Sequence, residues 1–352
     1  MTEQVTQKTV KLNLSDYIRN TDFYESQVQD FKPILNQFLY TTETMLFYGA
    51  SGSAKSFFTY GLCAAFADED VSEFLGQAIG TGKVLYIDGE MHANTINARA
   101  DNFETKQLDN LHYLAMTEIV DKGVTVDLSK DNQRADVVEV VKAGGYDLVV
   151  IDSVRTLFDL PDENASQSWN PVNDLAMRLR STGASVIVIH HSNKSSYTDG
   201  EVIWSGSSNA VTVFDRTCGI QVEAEGIWSL SSGHKVGRSG DGYAEWVDCS
   251  AFSFDELAST FRLVDLEDDR TKLLVDYFDS YVPSAVSKYV TRDAVRAIYK
   301  LLGVSAKSRG SSVNQCWEFI KDLLEDVEQL PFEWDSKEFQ RFLREGHDND
   351  DF

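Results

Sequence analysis

Short apolar runs alternate with amphipathic segments through the first half of the chain. Thr44 to Tyr48, Lys83 to Ile87 (KVLYI), Leu111 to Met116, Asp147 to Asp152 (DLVVID) and Ser185 to His190 (SVIVIH) are short and β-branched or aromatic, which predicts buried strands. Between them, Lys55 to Ala67, Asn94 to Glu104, Asp131 to Ala143 and Val172 to Ser181 carry apolar residues at helical spacing. Strand, helix, strand in that order predicts an α/β fold with a central, largely parallel sheet. From Thr217 to Leu266 the pattern changes. Ile220 to Glu223, Trp228 to Leu230, Glu245 to Phe254 and Phe261 to Leu266 read as antiparallel strands joined by glycine-containing turns. After Asp268 the chain reads helical. The expected organisation is an N-terminal arm (1–43), an α/β domain (44–266), a small helical C-terminal domain (267–344) and an acidic tail (345–352).

The first strand runs into Gly49-Ala50-Ser51-Gly52-Ser53-Ala54-Lys55-Ser56, with Phe57 following. Strand, small-residue loop, Lys-Ser, helix is the layout of a phosphate-binding loop. Small residues let backbone N–H groups turn inward on a phosphate, and the helix N-terminus adds partial positive charge. Lys55 is placed to reach the β- and γ-phosphates of ATP, and Ser56 to hold Mg²⁺. Ala54 stands where the G-x-x-x-x-G-K-[ST] pattern has its second glycine. A positive φ there costs an alanine roughly 1–2 kcal/mol. On its own, the segment also fits a Gly/Ser turn ahead of an ordinary helix.

Three further strand ends carry polar chemistry. Tyr86-Ile87-Asp88-Gly89-Glu90-Met91 offers a carboxylate that can deprotonate an attacking water, Glu90 first and Asp88 as the alternative. Leu148 to Asp152 ends in a carboxylate, Asp152, suited to the Mg²⁺ side of a phosphate loop. Ile189-His190-His191-Ser192-Asn193-Lys194 ends the fourth strand. Either ring could sense the γ-phosphate; neighbouring strand residues point to opposite faces, which argues against a shared metal, and His190 is the first choice as sensor.

The ordered set GASGSAKS, YIDGEM, LVVIDS, LPDEN, VIVIHHSNK and SGSSNAV resembles the RecA-like AAA ATPases typified by the plasmid RepA-type hexameric replicative helicases, over about residues 30 to 240. The resemblance implies a RecA-like P-loop core, Lys55 and Ser56 on the phosphates and metal, Glu90 as catalytic carboxylate, Asp152 on Mg²⁺ and His190–His191 as sensor strand. It also implies a homo-oligomeric ring, a hexamer, in which a neighbour's cation completes each site. Lys235 and Arg238, in His234 to Arg238, resemble the Lys-x-Arg element of related helicases with one extra residue; Arg216 is second. Single-stranded DNA is the implied partner. The loops Asp162 to Asn170 and Lys194 to Asn209, the latter with Lys194, Tyr197 and Trp204, are the expected contacts.

The net charge of −24 works against nucleic-acid binding at long range. Either the acid lies away from a central channel, or it serves solubility or high salt. The four cysteines form no C-x-x-C and read as reduced thiols of a cytoplasmic protein. No apolar stretch approaches the roughly 20 residues that span a bilayer. Ala297 to Ser305 could open a helix-turn-helix, although a plain helical accessory domain fits better. The ending Asp348 to Phe352 is similar to acidic tails of phage helicase-primases and single-stranded-DNA-binding proteins, which implies docking on a replication partner. Three functions stay open: a ring-shaped ATP-driven motor on single-stranded DNA, a DNA-remodelling or loading ATPase that does not unwind, and a weakly hydrolysing nucleotide-binding regulator.

Overall fold

The computed structural model describes residues 15, 18–20, 31–162, 165–191, 197–198, 201–202, 211–224, 226–233 and 242–264. Two compact units divide at Lys32 and Pro33. In the first, Ile18 N donates to Ser15 O at 3.4 Å and Arg19 Nη1 to Ile18 O at 2.9 Å. The helical C-terminal domain and the acidic tail expected from the sequence lie outside the described residues.

In the second unit the strands are β1 (Pro33–Leu35), β2 (Leu39–Tyr40), β3 (Thr44–Gly49), β4 (Glu73–Phe74), β5 (Gln77–Ala78), β6 (Val84–Asp88), β7 (Leu111–Ala115), β8 (Leu148–Asp152), β9 (Ser185–His191), β10 (Tyr197–Thr198), β11 (Glu201–Val202), β12 (Arg216–Ala224), β13 (Ile227–Ser231), β14 (Ala251–Asp255) and β15 (Thr260–Leu263). A nine-stranded sheet runs in the order β15-β14-β13-β12-β3-β9-β8-β6-β7. From β12 to β7 all neighbours are parallel; β13, β14 and β15 extend the sheet antiparallel. This is the α/β, largely parallel architecture that the pattern of apolar runs predicts.

The helices α1 (Lys55–Ala67), α2 (Ala93–Asn102), α3 (Met116–Asp121), α4 (Asp131–Gly144), α5 (Val154–Leu157), α6 (Asn170–Arg180) and α7 (Tyr243–Cys249) complete the described elements longer than three residues, apart from a 3-10 turn at Ser166–Trp169. Strand alternation splits the core in two. Met45, Phe47, Val84, Tyr86, Leu148, Val150, Ile187 and Ile189 face α1 and its aromatic surroundings. Leu46, Tyr48, Leu85, Ile87, Val149, Ile151, Val186 and Val188 face Val137 and Val141 of α4 and Val172, Leu175 and Leu179 of α6. Both faces are covered, so these strands read as continuous apolar runs rather than alternating ones.

Two sequence expectations change. Residues 33–40, read as the end of an arm, form the β1–β2 hairpin, and Ile34, Leu35, Phe38 and Leu39 are buried in the first core. Glu245 to Phe254 is not one strand. Tyr243–Cys249 is helical, starting after Gly242 at φ 76°, and only Ala251–Asp255 is extended. Tyr243 and Val247, spaced i, i+4, bury one helix face while Trp246 packs beside it, and that spacing outweighs the strand-like composition.

Candidate functional site

The loop 49–54 leaves the carboxyl end of β3 and turns directly into α1. Gly49 has to be glycine: a Cβ there would stand 2.5 Å from Ile220 O on β12 and 2.7 Å from Ser53 Oγ. Gly52 lies at φ 80° and Ala54 at φ 63°, ψ 19°. Ala54 therefore takes the left-handed conformation that the pattern normally assigns to glycine, in spite of its methyl group. Ser53 braces the turn, its N and Oγ both donating to Ala50 O, at 3.2 and 2.8 Å.

Lys55 is buried at the start of α1, and its Nζ donates to Gly49 O at 3.0 Å and Ala50 O at 2.6 Å. Burial pushes its pKa down to about 8, against the opposing pull of the Asp152 and Glu90 charges. The same ammonium thus feels the carboxylates at the ends of two other strands. Asp152 ends β8 almost fully buried. Burial pushes its pKa up to about 6, opposed by hydrogen bonds from Ser56 and from Tyr86, whose Oη donates to Asp152 Oδ2 at 2.6 Å.

Glu90 lies two residues past the end of β6. Its Oε1 accepts from Ser153 Oγ at 2.9 Å and stands 3.4 Å from His191 Nε2. The His191 contact, more than the Ser153 bond, holds the Glu90 pKa below the ordinary carboxylate value against partial burial. Gly89 works by clearance rather than by a turn: a Cβ would meet Thr156 Oγ1 at 2.6 Å and Leu157 Cδ2 at 2.8 Å, while its N donates to Asp152 O at 2.7 Å. Asp88, the alternative base, is fully buried and occupied. Its Oδ1 accepts from the backbone N of Glu90 at 2.7 Å and of Met91 at 2.9 Å, and Oδ2 accepts from Tyr113 Oη. It shapes the Glu90 turn instead of facing the loop.

The first-choice sensor, His190, is corrected. Its ring is buried edge-on to Trp169 at 4.9 Å, on the face of the sheet covered by α4 and α6, where burial pushes its pKa down to about 3. His191, one residue on and so on the opposite face, is the ring that reaches Glu90. Arg216 is corrected too. It is fully buried, its Nε donates to Glu43 Oε2 at 2.8 Å, and its guanidinium lies 4.7 Å from the Tyr243 ring and 5.3 Å from the Tyr40 ring. A side chain locked inside its own subunit does not reach a neighbour's phosphate. Lys235, Arg238, Lys194 and Trp204 lie outside the described residues, as do residues 163–164 of the first expected DNA loop. Phe57 packs against Phe103 and Phe254, both at 4.9 Å. It also lines a cleft of about 710 Å³ with Asp101, Glu104 and Glu256, whose carboxylates disfavour a polyanion there.

Sequence reasoning passed over Ser153, Tyr86, Tyr113 and Arg99. Ser153 directly follows the carboxylate strand and was open to notice. Arg99 on α2 donates through Nη1 to Ser56 O at 3.3 Å, a contact between segments 43 residues apart that no local pattern announces.

Gly49 to Ser56, Glu90, Asp152 and His191 thus converge at the carboxyl ends of β3, β6, β8 and β9, where open α/β sheets gather ligands. A family model described as an AAA domain matches residues 11–197. No curated protein matches significantly in sequence. Among solved structures, a KaiC-like protein from the hyperthermophilic archaeon Pyrococcus horikoshii OT3 aligns at 14% identity and TM-score 0.46, covering 68% of this chain and 98% of that one.

Proposed function

The chain belongs to the AAA domain family of nucleotide-binding ATPases, and on that premise we propose that it hydrolyses ATP to drive movement on single-stranded DNA as a ring of identical subunits. The observation that carries the hydrolytic part is the gathering of Lys55, Ser56, Glu90, Asp152 and His191 around one loop.

Each group then has a task. Inward N–H groups of the loop and the first turn of α1 receive phosphate oxygens. Lys55 exchanges the Gly49 and Ala50 carbonyls for β- and γ-phosphate oxygens, better partners for an ammonium in a low-dielectric setting. Glu90, ionised and steered by Ser153 and His191, accepts the proton of the attacking water. His191, between the Glu90 carboxylate and the end of β9, transmits loss of the γ-phosphate to the segment that follows.

The residues present fit Mg²⁺. Ser56 and Asp152 offer hard oxygen donors already hydrogen-bonded to each other, and the burial that lifts the Asp152 pKa to about 6 marks a carboxylate short of positive charge. Ser56 and Asp152 would hold the ion, which would supply positive charge against the charge developing on the transferred phosphoryl group.

The DNA, the ring and a trans-acting pair at Lys235 and Arg238 rest on the family resemblance of the sequence, and docking of a partner on the tail ending in Phe352 on its acidic-aromatic composition. The regulator reading drew on Ala54, and it weakens because Ala54 adopts the conformation the loop needs. The test is phosphate release by wild type, Lys55→Ala and Glu90→Gln with and without single-stranded DNA, beside a light-scattering mass in Mg²⁺ and a non-hydrolysable ATP analogue. DNA-stimulated turnover in the wild type alone, with a ring-sized mass, supports the proposal. Absent turnover, or turnover unaffected by Glu90→Gln, overturns it.

A further inference from the structure

Tyr86 and Tyr113 are register partners on the parallel strands β6 and β7, and their rings stack with centroids 5.0 Å apart and planes 5° apart. Asp88 and Asp152 are register partners on β6 and β8. Side chains two residues apart on a strand share a face, so Tyr86, Tyr113, Asp88 and Asp152 line one side of the sheet. Each tyrosine reaches diagonally, across one strand and two residues forward. Tyr86 donates to Asp152 Oδ2 at 2.6 Å, and Tyr113 donates to Asp88 Oδ2. The other oxygen of Asp88 holds the Glu90 and Met91 amides, at 2.7 and 2.9 Å.

We infer that the Tyr86–Tyr113 stack is a positioning device that fixes the metal-side carboxylate Asp152 and the catalytic loop at Glu90 relative to each other. The assignment rests on the roles proposed for Asp152 and Glu90. Both rings pack at a tilt against Tyr60 of α1, at 6.1 and 6.3 Å, which ties the stack to the helix that follows the phosphate loop. Tyr86 aims Asp152 Oδ2, and Ser56 hydrogen-bonds the same carboxylate. Tyr113 holds Oδ2 of Asp88, so Oδ1 stays committed to the turn that presents Glu90. The two hydroxyls serve different ends, and phenylalanine removes each without changing ring packing.

The experiment is Tyr86→Phe and Tyr113→Phe in the full-length protein. Tyr86→Phe is expected to raise the Mg²⁺ concentration for half-maximal turnover several-fold. It should equally weaken the Mg²⁺-dependent gain in affinity for a fluorescent ATP analogue, with binding in EDTA unchanged. Tyr113→Phe is expected to lower kcat several-fold at constant KM, and to speed hydrogen exchange of the Glu90 and Met91 amides in nucleotide-free protein at least fivefold. Variants equal to wild type in Mg²⁺ dependence, kcat and amide exchange overturn the inference, as does a fall in melting temperature with none of those changes. A wild type that does not hydrolyse ATP sinks the functional reading instead, and the amide-exchange arm still judges the Tyr113–Asp88–Glu90 link.

Discussion

His191 Nε2 stands 3.4 Å from Glu90 Oε1, a contact between residues 101 positions apart that puts the second histidine of the pair, and not the first, beside the carboxylate proposed to act on the attacking water. His191→Ala is expected to lower ATP turnover by on the order of 100-fold while leaving the melting temperature unchanged. His190→Ala does the reverse: it removes a buried ring from the Trp169 edge and costs about 2–4 kcal/mol of stability. Phosphate-release kinetics and urea titration on both variants check the split, and equal kinetic losses would contradict it.

Arg216 and Glu43 form an ion pair with side-chain exposures of 1% and 3%. Arg216→Ala leaves Glu43 charged and unpaired in the core, a loss of about 3–5 kcal/mol. If Arg216 instead acted across a subunit interface, the variant would melt normally and lose only turnover. Chemical denaturation followed by circular dichroism separates the two.

Ala54 at φ 63° carries strain of about 1–2 kcal/mol. Ala54→Gly relieves it and gives back about 0.4–1 kcal/mol through a more flexible unfolded chain. The expected net gain is about 0.5–1 kcal/mol, seen as a rise of a few degrees in melting temperature with nucleotide affinity kept. A lower melting temperature would show that the methyl group contributes packing that outweighs the strain.

Lys55 must be protonated to hold phosphate, and burial places its pKa at about 8, below the ordinary lysine value. Below that pH the ammonium is present and binding is insensitive to pH. Above it, deprotonation competes with binding, and Kd for a fluorescent ATP analogue in EDTA rises by about tenfold per pH unit. Fluorescence titration between pH 7 and pH 10 checks the sign and the onset.

The sheet and the loop were legible because burial on both faces forces apolar β-branched runs, and because a phosphate loop needs small residues beside Lys-Ser. Lys55–Ala67 is helical over the span its periodicity predicts. The choice between His190 and His191 was not legible, since alternation says that the rings diverge without saying which face holds Trp169. Arg216 pairs with a residue 173 positions away, beyond any local pattern. The Tyr86–Asp152 and Tyr113–Asp88 diagonals depend on strand register, which apolar runs of similar length leave undetermined.

A Cβ on Gly49 would stand 2.5 Å from Ile220 O, and β12 is laddered to β3 from Arg216↔Met45 to Gly219↔Tyr48. β12, parallel to the loop strand on one side and antiparallel to β13 on the other, is therefore the seam where the two parts of the sheet are stitched together. The residue that opens the loop is thus wedged against that seam, and a larger side chain there would prise the two strands apart.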